Sequence, residues 1–226
     1  MNRPLALRAA VPAVAGALAA AAALTACGPV KMGAAATIGD ERITTARLDD
    51  TVAQWRKEFD ANRQAALVQQ TEQQRGQQVP FDQDSPHRSA LYQLVSFKVW
   101  DEVAEEQGVT VTQGEIDRLL DGLGGAAAVA PSVLAADVPL RYTTDFARTA
   151  LLQRQLLQRY GLVPNAQGQL DPAAQERATR QLATAYSTAA SRLKITISPR
   201  FGGFDPRTVS LSPVTYRLSR TESGTG

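Results

Sequence analysis

The sequence predicts a mainly α-helical domain with a small β-sheet, and three observations carry that prediction. Apolar residues recur at helical spacing through most of the chain, as in Leu48, Val52, Trp55 and Phe59 at steps of four, three and four. Helix start signals punctuate the pattern: Ser85-Pro86, Thr112 with Glu115, and Asp171-Pro172. Period-two alternation is confined to two short stretches far apart, "ATIGDERIT" at 36–44 and "KITIS" at 194–198.

The first of these stretches reads as a hairpin. With Gly39-Asp40 as a two-residue loop, Ile38 faces Glu41 and Ala36 faces Ile43. That puts Ala36, Ile38 and Ile43 on one face, with Thr37 and Arg42 on the other. An isolated hairpin is marginal in water, so it needs a third strand or a helix. Lys194–Ser198 is the candidate, because Ile195 and Ile197 alternate in the same way. Four of the chain's five isoleucines lie in these two stretches, where β-branched side chains suit a strand. The expectation is one sheet joining both ends of a helical body.

Between the strands the signals are helical. The Leu48–Phe59 stripe fades into "QQTEQQRGQQ" (69–78), either a polar extension of the helix or a loop. After Ser85-Pro86, Leu91, Leu94, Val95, Phe97, Val99, Trp100 and Val103 surround most of a helix, as in a central core helix or one with a face left for a partner. Gly108 ends it, and the Thr112/Glu115 capping box opens a short helix bearing Ile116, Leu119 and Leu120. "GLGGAAAVAP" (122–131) reads as a loop. A segment from about 138 to 160 carries Leu140, Ala147, Leu151 and Leu156. The last helix opens at Asp171-Pro172, with a narrow stripe of Ala178, Leu182, Ala185 and Ala189.

The first 26 residues stand apart. Arg3 and Arg8 precede an Ala/Leu/Val run over 9–24, shorter than the ~20 residues of a spanning helix, so the stretch reads as a secretory signal. Leu24, Thr25, Ala26 and Cys27 resemble the bacterial lipobox, in which the cysteine is acylated and becomes the first mature residue. Cys27 is the only cysteine, so an anchor explains it better than a disulfide does. Two acyl chains on one residue give lasting attachment at ~0.8 kcal/mol per buried CH2. The formal charge of +2 resides in Arg3 and Arg8, leaving a near-neutral mature chain with no basic stripe for nucleic acid. The expected division is a signal peptide over 1–26, lipidated Cys27 and a tether over 27–35, a helical domain over 36–206, and a flexible Ser/Thr-rich tail over 207–226.

Three motifs in order resemble the SurA N-terminal domain family. "AAATIGDERITTARLD" (34–49) is similar to the family's opening hairpin, Ile-Thr pair and first helix. "EEQGVTVTQGEID" (105–117) resembles its helix ending at Gly followed by a Val-Thr-capped short helix, and "ITISPRFGGFDP" (195–206) its closing strand and turn. The resemblance spans about 36–206. It implies an extracytoplasmic, membrane-anchored chaperone that holds unfolded or nascent exported polypeptides without ATP or cofactor. SurA-like and PrsA-like proteins often add a parvulin prolyl isomerase domain. Here no block of that size remains, and the one histidine cannot supply the pair which that active site uses.

The inventory for other chemistry is thin. His87 is the sole histidine, in the first turn of a predicted helix, and is expected to be solvated rather than catalytic. Zinc would need Cys or His clusters that the sequence lacks. Adjacent acids such as Asp101/Glu102 and Glu105/Glu106 read as solvated faces. "GLGG" follows a predicted helix rather than a strand, which argues against a dinucleotide loop. The expectation is therefore a non-enzyme without metal or cofactor. Trp55, Phe59, Tyr92, Phe97 and Trp100 are the candidate client contacts, set against the plainer reading that they fill the core. The alternative function is a structural or adaptor lipoprotein that binds one folded envelope partner. A small-ligand-binding lipoprotein is the third reading.

Overall fold

The computed structural model describes residues 33–74 and 85–214. Strand β1 (Ala34–Ile38) turns through Gly39-Asp40 into β2 (Glu41–Thr44), with Ile38 opposite Glu41 and Ala36 opposite Ile43. Gly39 takes φ +55, a left-handed conformation that suits glycine, and its N–H donates to the Leu193 carbonyl at 2.8 Å. Strand β3 (Ile195–Ile197) pairs antiparallel with the other edge of β1, placing Ile197 opposite Ala36 and Ile195 opposite Ile38. The sheet order is β2-β1-β3, so the two ends of the helical body meet as expected. Ala34, Ala35 and Ala36 are all buried, which means that β1 is covered on both of its faces.

Among the described residues seven α-helices lie between β2 and β3. Helix α1 (Thr45–Asp60) is capped by the Thr44 hydroxyl, which accepts from the Arg47 N–H at 3.1 Å; it buries Leu48, Thr51, Val52 and Trp55. Helix α2 (Arg63–Gln74) does not extend α1. The Asn62 carboxamide oxygen accepts from the N–H groups of Gln64 and Ala65 and starts a new helix. The glutamine-rich run is thus helical to Gln74, and 75–78 lie outside the described residues. Helix α3 (Pro86–Gln107) has Pro86 in its first turn and ends at Gly108 in the left-handed conformation. It is the central helix, with Leu91, Val95, Val99 and Val103 almost wholly enclosed. In α4 (Gln113–Gly122) both halves of the capping box form, and Ile116 packs on Ala147 and Leu151.

The structure corrects three sequence expectations. Residues 122–131 are not one loop: α5 (Ala126–Ala135) begins directly after Gly124-Gly125 and contains Pro131. Burial of Ala130, Pro131, Val133, Leu134 and Ala135 outweighs the lost backbone hydrogen bond. The 138–160 segment splits into a 3-10 turn (Leu140–Tyr142) and α6 (Thr143–Arg159), and Leu140 faces outward while Ala147, Leu151 and Leu156 are buried. Helix α7 (Pro172–Arg192) follows, with the Asp171 carboxylate accepting from Ala173 and Ala174.

The tail expected from 207 is the third correction. Strands β4 (Gly203–Asp205) and β5 (Ser210–Ser212) form a second hairpin. Val209 is buried, and Phe204 and Leu211 pack on the main core, which is why this stretch is ordered despite its Ser/Thr content. Arg88 of α3 donates to the Leu211 carbonyl at 3.3 Å. Gly202, with φ +96, allows the close approach: a Cβ there would collide with the Ser212 carbonyl oxygen and stand 2.9 Å from Arg88 Nη1. The folded unit therefore continues beyond 206, while residues 215–226 lie outside the described chain.

Two substitutions test this closure. Ile197→Ala should lower stability by about 2–4 kcal/mol in urea denaturation, because Ile197 is buried against β1. An unchanged midpoint would show that β3 does not hold the sheet shut. Gly202→Ala should cost about 2 kcal/mol or more through the clash and the positive φ, with loss of the β4–β5 contacts to α3 visible in hydrogen exchange.

Candidate functional site

The five aromatic candidates fall in or against the core rather than on an open client surface. Trp55 is buried, and its indole N–H donates to the Leu134 carbonyl at 2.8 Å, tying α1 to α5. Half-buried Phe59 packs on it with ring centroids 5.1 Å apart. Phe97 is buried and stacks on Tyr142 at 6.0 Å; Trp100 is buried and stacks on Tyr186 at 4.5 Å. Tyr92 is half-buried, and burial raises its phenol pKa. The reason is the composition of α3, apolar around most of its circumference and enclosed by α1, α6 and α7. Leu24, Thr25, Ala26 and Cys27 lie outside the described residues.

His87 is less solvated than expected. Its Nε2 lies 3.2 Å from the Asp49 carboxylate, linking the first turn of α3 to α1. Among the described residues no cluster of three or more His, Cys, Asp or Glu is placed to hold a metal ion, and no helix is long and apolar enough to cross a membrane.

A groove of about 640 Å3 runs along α7 where it passes the ends of α3 and α6. Its walls include Arg177, Gln181, Thr184, Thr188 and Arg192 from α7, with Tyr160 and Gln107 opposite. On α7 these positions recur at helical spacing from Arg177 to Arg192, fifteen residue steps or about 22 Å of helix. Ala185 leaves the lining low between them. The opposite wall is held firmly. Arg159 donates to the Gln107 carbonyl at the end of α3, Tyr160 donates to the Gln107 side chain at 3.3 Å, and Arg192 pairs with Glu106 at 2.7 Å. Gln181 and Thr188 offer amide and hydroxyl groups to the groove, Thr184 donates its hydroxyl proton to the Arg180 carbonyl at 2.9 Å and leaves an oxygen to accept, and the rim residues Arg177, Arg180 and Arg192 are paired with Asp171, Glu176 and Glu106. The sequence marks α7 by its apolar stripe, Ala178, Leu182, Ala185 and Ala189, which does not itself point to a groove. The periodic polar positions beside that stripe are the signal for the groove.

The large apolar side chains most exposed among the described residues are Leu67, Leu123, Leu140, Val163 and Leu170. They belong to different helices and loops.

A second polar feature lies inside. Asp137 follows α5 with φ +59, is only 6% exposed, and accepts from Gln69 of α2 at 3.3 Å. Burial pushes its carboxyl up to about 6, against hydrogen bonds from Ser89 and Gln69 that favour the ionised form. It ties the arm formed by α2 to the body.

Comparison with protein-family models, with curated proteins and with solved structures finds no match.

The raised Asp137 pKa sets a pH dependence. The folded state holds this proton more tightly than the unfolded state, so the associated stability is fully present below about pH 4 and is lost as pH rises through about 6. Asp137→Asn keeps an acceptor for Gln69 and tolerates the left-handed backbone. It should stabilise the domain at pH 7 by up to about 3 kcal/mol, with the gain vanishing near pH 4. Urea denaturation across that range checks both ends.

Proposed function

We propose that this protein is a lipid-anchored, ATP-independent chaperone of the cell envelope, related to the SurA N-terminal domain family, that holds unfolded exported polypeptides near the membrane. Acylation of Cys27 supplies the anchor in this reading, and the extracytoplasmic face is the place of action. The chain does no chemistry on its client. The observation that carries the proposal is the α7 groove, together with the hairpin-to-closing-strand topology that the sequence resemblance anticipates.

The groove changes the expected mode of holding. A 22 Å trough accommodates about six or seven residues of extended chain at ~3.3 Å each. Gln181 and Thr188 can donate to and accept from a client's backbone amides, and the Thr184 hydroxyl, which donates to the Arg180 carbonyl, can accept; every polypeptide presents such amides whatever its sequence. Low Ala185 leaves room for client side chains. Binding is then weak and backbone-directed rather than driven by burial of client aromatics.

The second reading, an adaptor for one folded envelope partner, is favoured by the scattered placement of the exposed apolar residues. Such a partner would dock at the groove's rim by exchanging its own carboxylates for those of Asp171, Glu176 and Glu106 on the three arginines.

The chain from residue 28 onward, mixed with two unrelated aggregation-prone proteins diluted from denaturant, separates these readings. Light scattering should fall for both clients near equimolar ratio, with an inert protein as control. The Gln181→Ala/Thr184→Val/Thr188→Val variant should lose most of that suppression while keeping its thermal unfolding. A folded domain that suppresses neither client, or only one, moves the assignment to a dedicated partner.

A further inference from the structure

A second cavity, of about 580 Å3, lies between the start of α1 and the start of α6, away from the α7 groove. It is lined by Thr44 at the end of β2, by Ala46, Arg47 and Asp50 of α1, by Arg141 and Tyr142 of the 3-10 turn, and by Asp145 of α6. Thr44 is the N-cap of α1 and Tyr142 that of α6, so the positive ends of two helix dipoles meet there. Two guanidinium groups add to them.

The Tyr142 side chain is held rigidly in this lining. Phe97 stacks on its ring, and the Arg141 guanidinium lies 5.1 Å from its centroid. Arg141 is itself fixed, because it donates to Thr51 Oγ1 at 2.6 Å and also to the Gln54 side chain. Burial works to raise the Tyr142 phenol pKa, but side-chain hydrogen bonding with Thr51, Arg141 and Arg47 and the charge of Arg141 outweigh it and lower the pKa. Asp50 and Asp145 belong to the same cavity. Those carboxylates sit about one turn further into their helices than Arg47 and Arg141, three residues on in one and four in the other. The cavity offers both signs of charge, with the arginines, the phenol and the helix starts grouped together.

We propose that this cavity binds a phosphate ester carrying an ammonium group, the chemistry shared by a phosphoethanolamine-type lipid headgroup and its soluble counterpart. Arg47 and the Tyr142 hydroxyl take the phosphate oxygens, with Arg141 at its fixed position. Asp50 and Asp145 take the ammonium. The lipid is the source that placement favours. Thr45 donates to the Gly33 carbonyl through both its N–H (2.9 Å) and its hydroxyl (3.3 Å), so this mouth lies beside the start of the described chain. Cys27 is six residues further back, within about 22 Å along an extended chain. The lipid source rests on reading Cys27 as the anchor; the pocket chemistry does not.

The test is calorimetry on the full-length chain in nonionic detergent at pH 7.5, titrated with phosphoethanolamine, inorganic phosphate and ethanolamine separately. Phosphoethanolamine should bind at least about tenfold tighter than either fragment. Arg47→Ala should weaken it about tenfold, while Asp50→Asn should bring it down to the level of phosphate. Absorbance titration supplies a readout that a merely structural role would not move: bound phosphate should raise the pH at which the Tyr142 phenol ionises, and Tyr142→Phe should remove that transition. Phosphoethanolamine that binds no better than its fragments, or a phenol that it does not shift, overturns the proposal. Vesicles of phosphatidylethanolamine in phosphatidylcholine, compared with phosphatidylcholine alone, separate the sources. A phenol shift confined to the former assigns the lipid headgroup, and a shift with the soluble ligand only assigns the free phosphate ester. These readings do not involve the α7 groove, so they stand or fall independently of polypeptide holding.

Discussion

The central position of β1 is the constraint on which the rest of the structure depends. Its backbone groups can be satisfied inside the molecule only if both edges are paired, because Ala34, Ala35 and Ala36 are buried. One partner, β2, is the next strand in the chain. The other, β3, lies beyond all seven described helices. The demand of one short strand for hydrogen bonds therefore closes the helical array into a ring, and the residues between need only pack inside it. The Gly39 bond to Leu193 adds a further link between the hairpin tip and the end of α7.

Inside that ring, aromatic side chains with a polar atom set the spacing of the helices. Trp55 fixes α1 to α5 through the Leu134 carbonyl, and Tyr186 of α7 meets Ser96 of α3 at 2.7 Å while stacking on Trp100. A buried indole or phenol has to find a partner, so each of these contacts specifies one helix arrangement among many that would bury similar area. With the large aromatics committed to this role, the outer surface is left to arginine, glutamine, threonine and alanine. That is why both grooves are polar, and why the functional reading turns on hydrogen bonding and charge rather than on an apolar patch.

Features set by neighbours in sequence were legible before the structure. The Gly39-Asp40 hairpin register, the Thr112/Glu115 box, Pro86, Gly108 and the Asp171 cap each depend on a few consecutive residues. The β1–β3 pairing was legible too, through its isoleucines. What escaped was decided by distant partners. Gly124, Gly125 and Pro131 signal a break, and only the core around Val133 and Leu134 makes α5 a helix. Val209 and Leu211 look like residues of a tail until Gly202 and Arg88 bring the second hairpin against α3. The start of α2 was a plain miss, because Asn62 is an ordinary N-cap signal. The two cavities join residues from separated segments, Arg47 with Arg141 and Gln107 with Gln181, and one-dimensional spacing does not record such meetings.

The same closing strand also fixes when the protein can finish folding. A chain synthesised from its N-terminus presents β1 and β2 first, as a hairpin that is marginal by itself. The second edge of β1 stays open until Ile195–Ile197 has emerged, after more than four-fifths of the chain. Helices can form locally in the meantime, but the loop that must be closed is nearly the whole domain, and such non-local pairing is slow. The exposed edge of a half-made sheet is a site for pairing with other chains. The small size of the sheet, with strands of five, four and three residues, keeps that hazard brief and short-ranged.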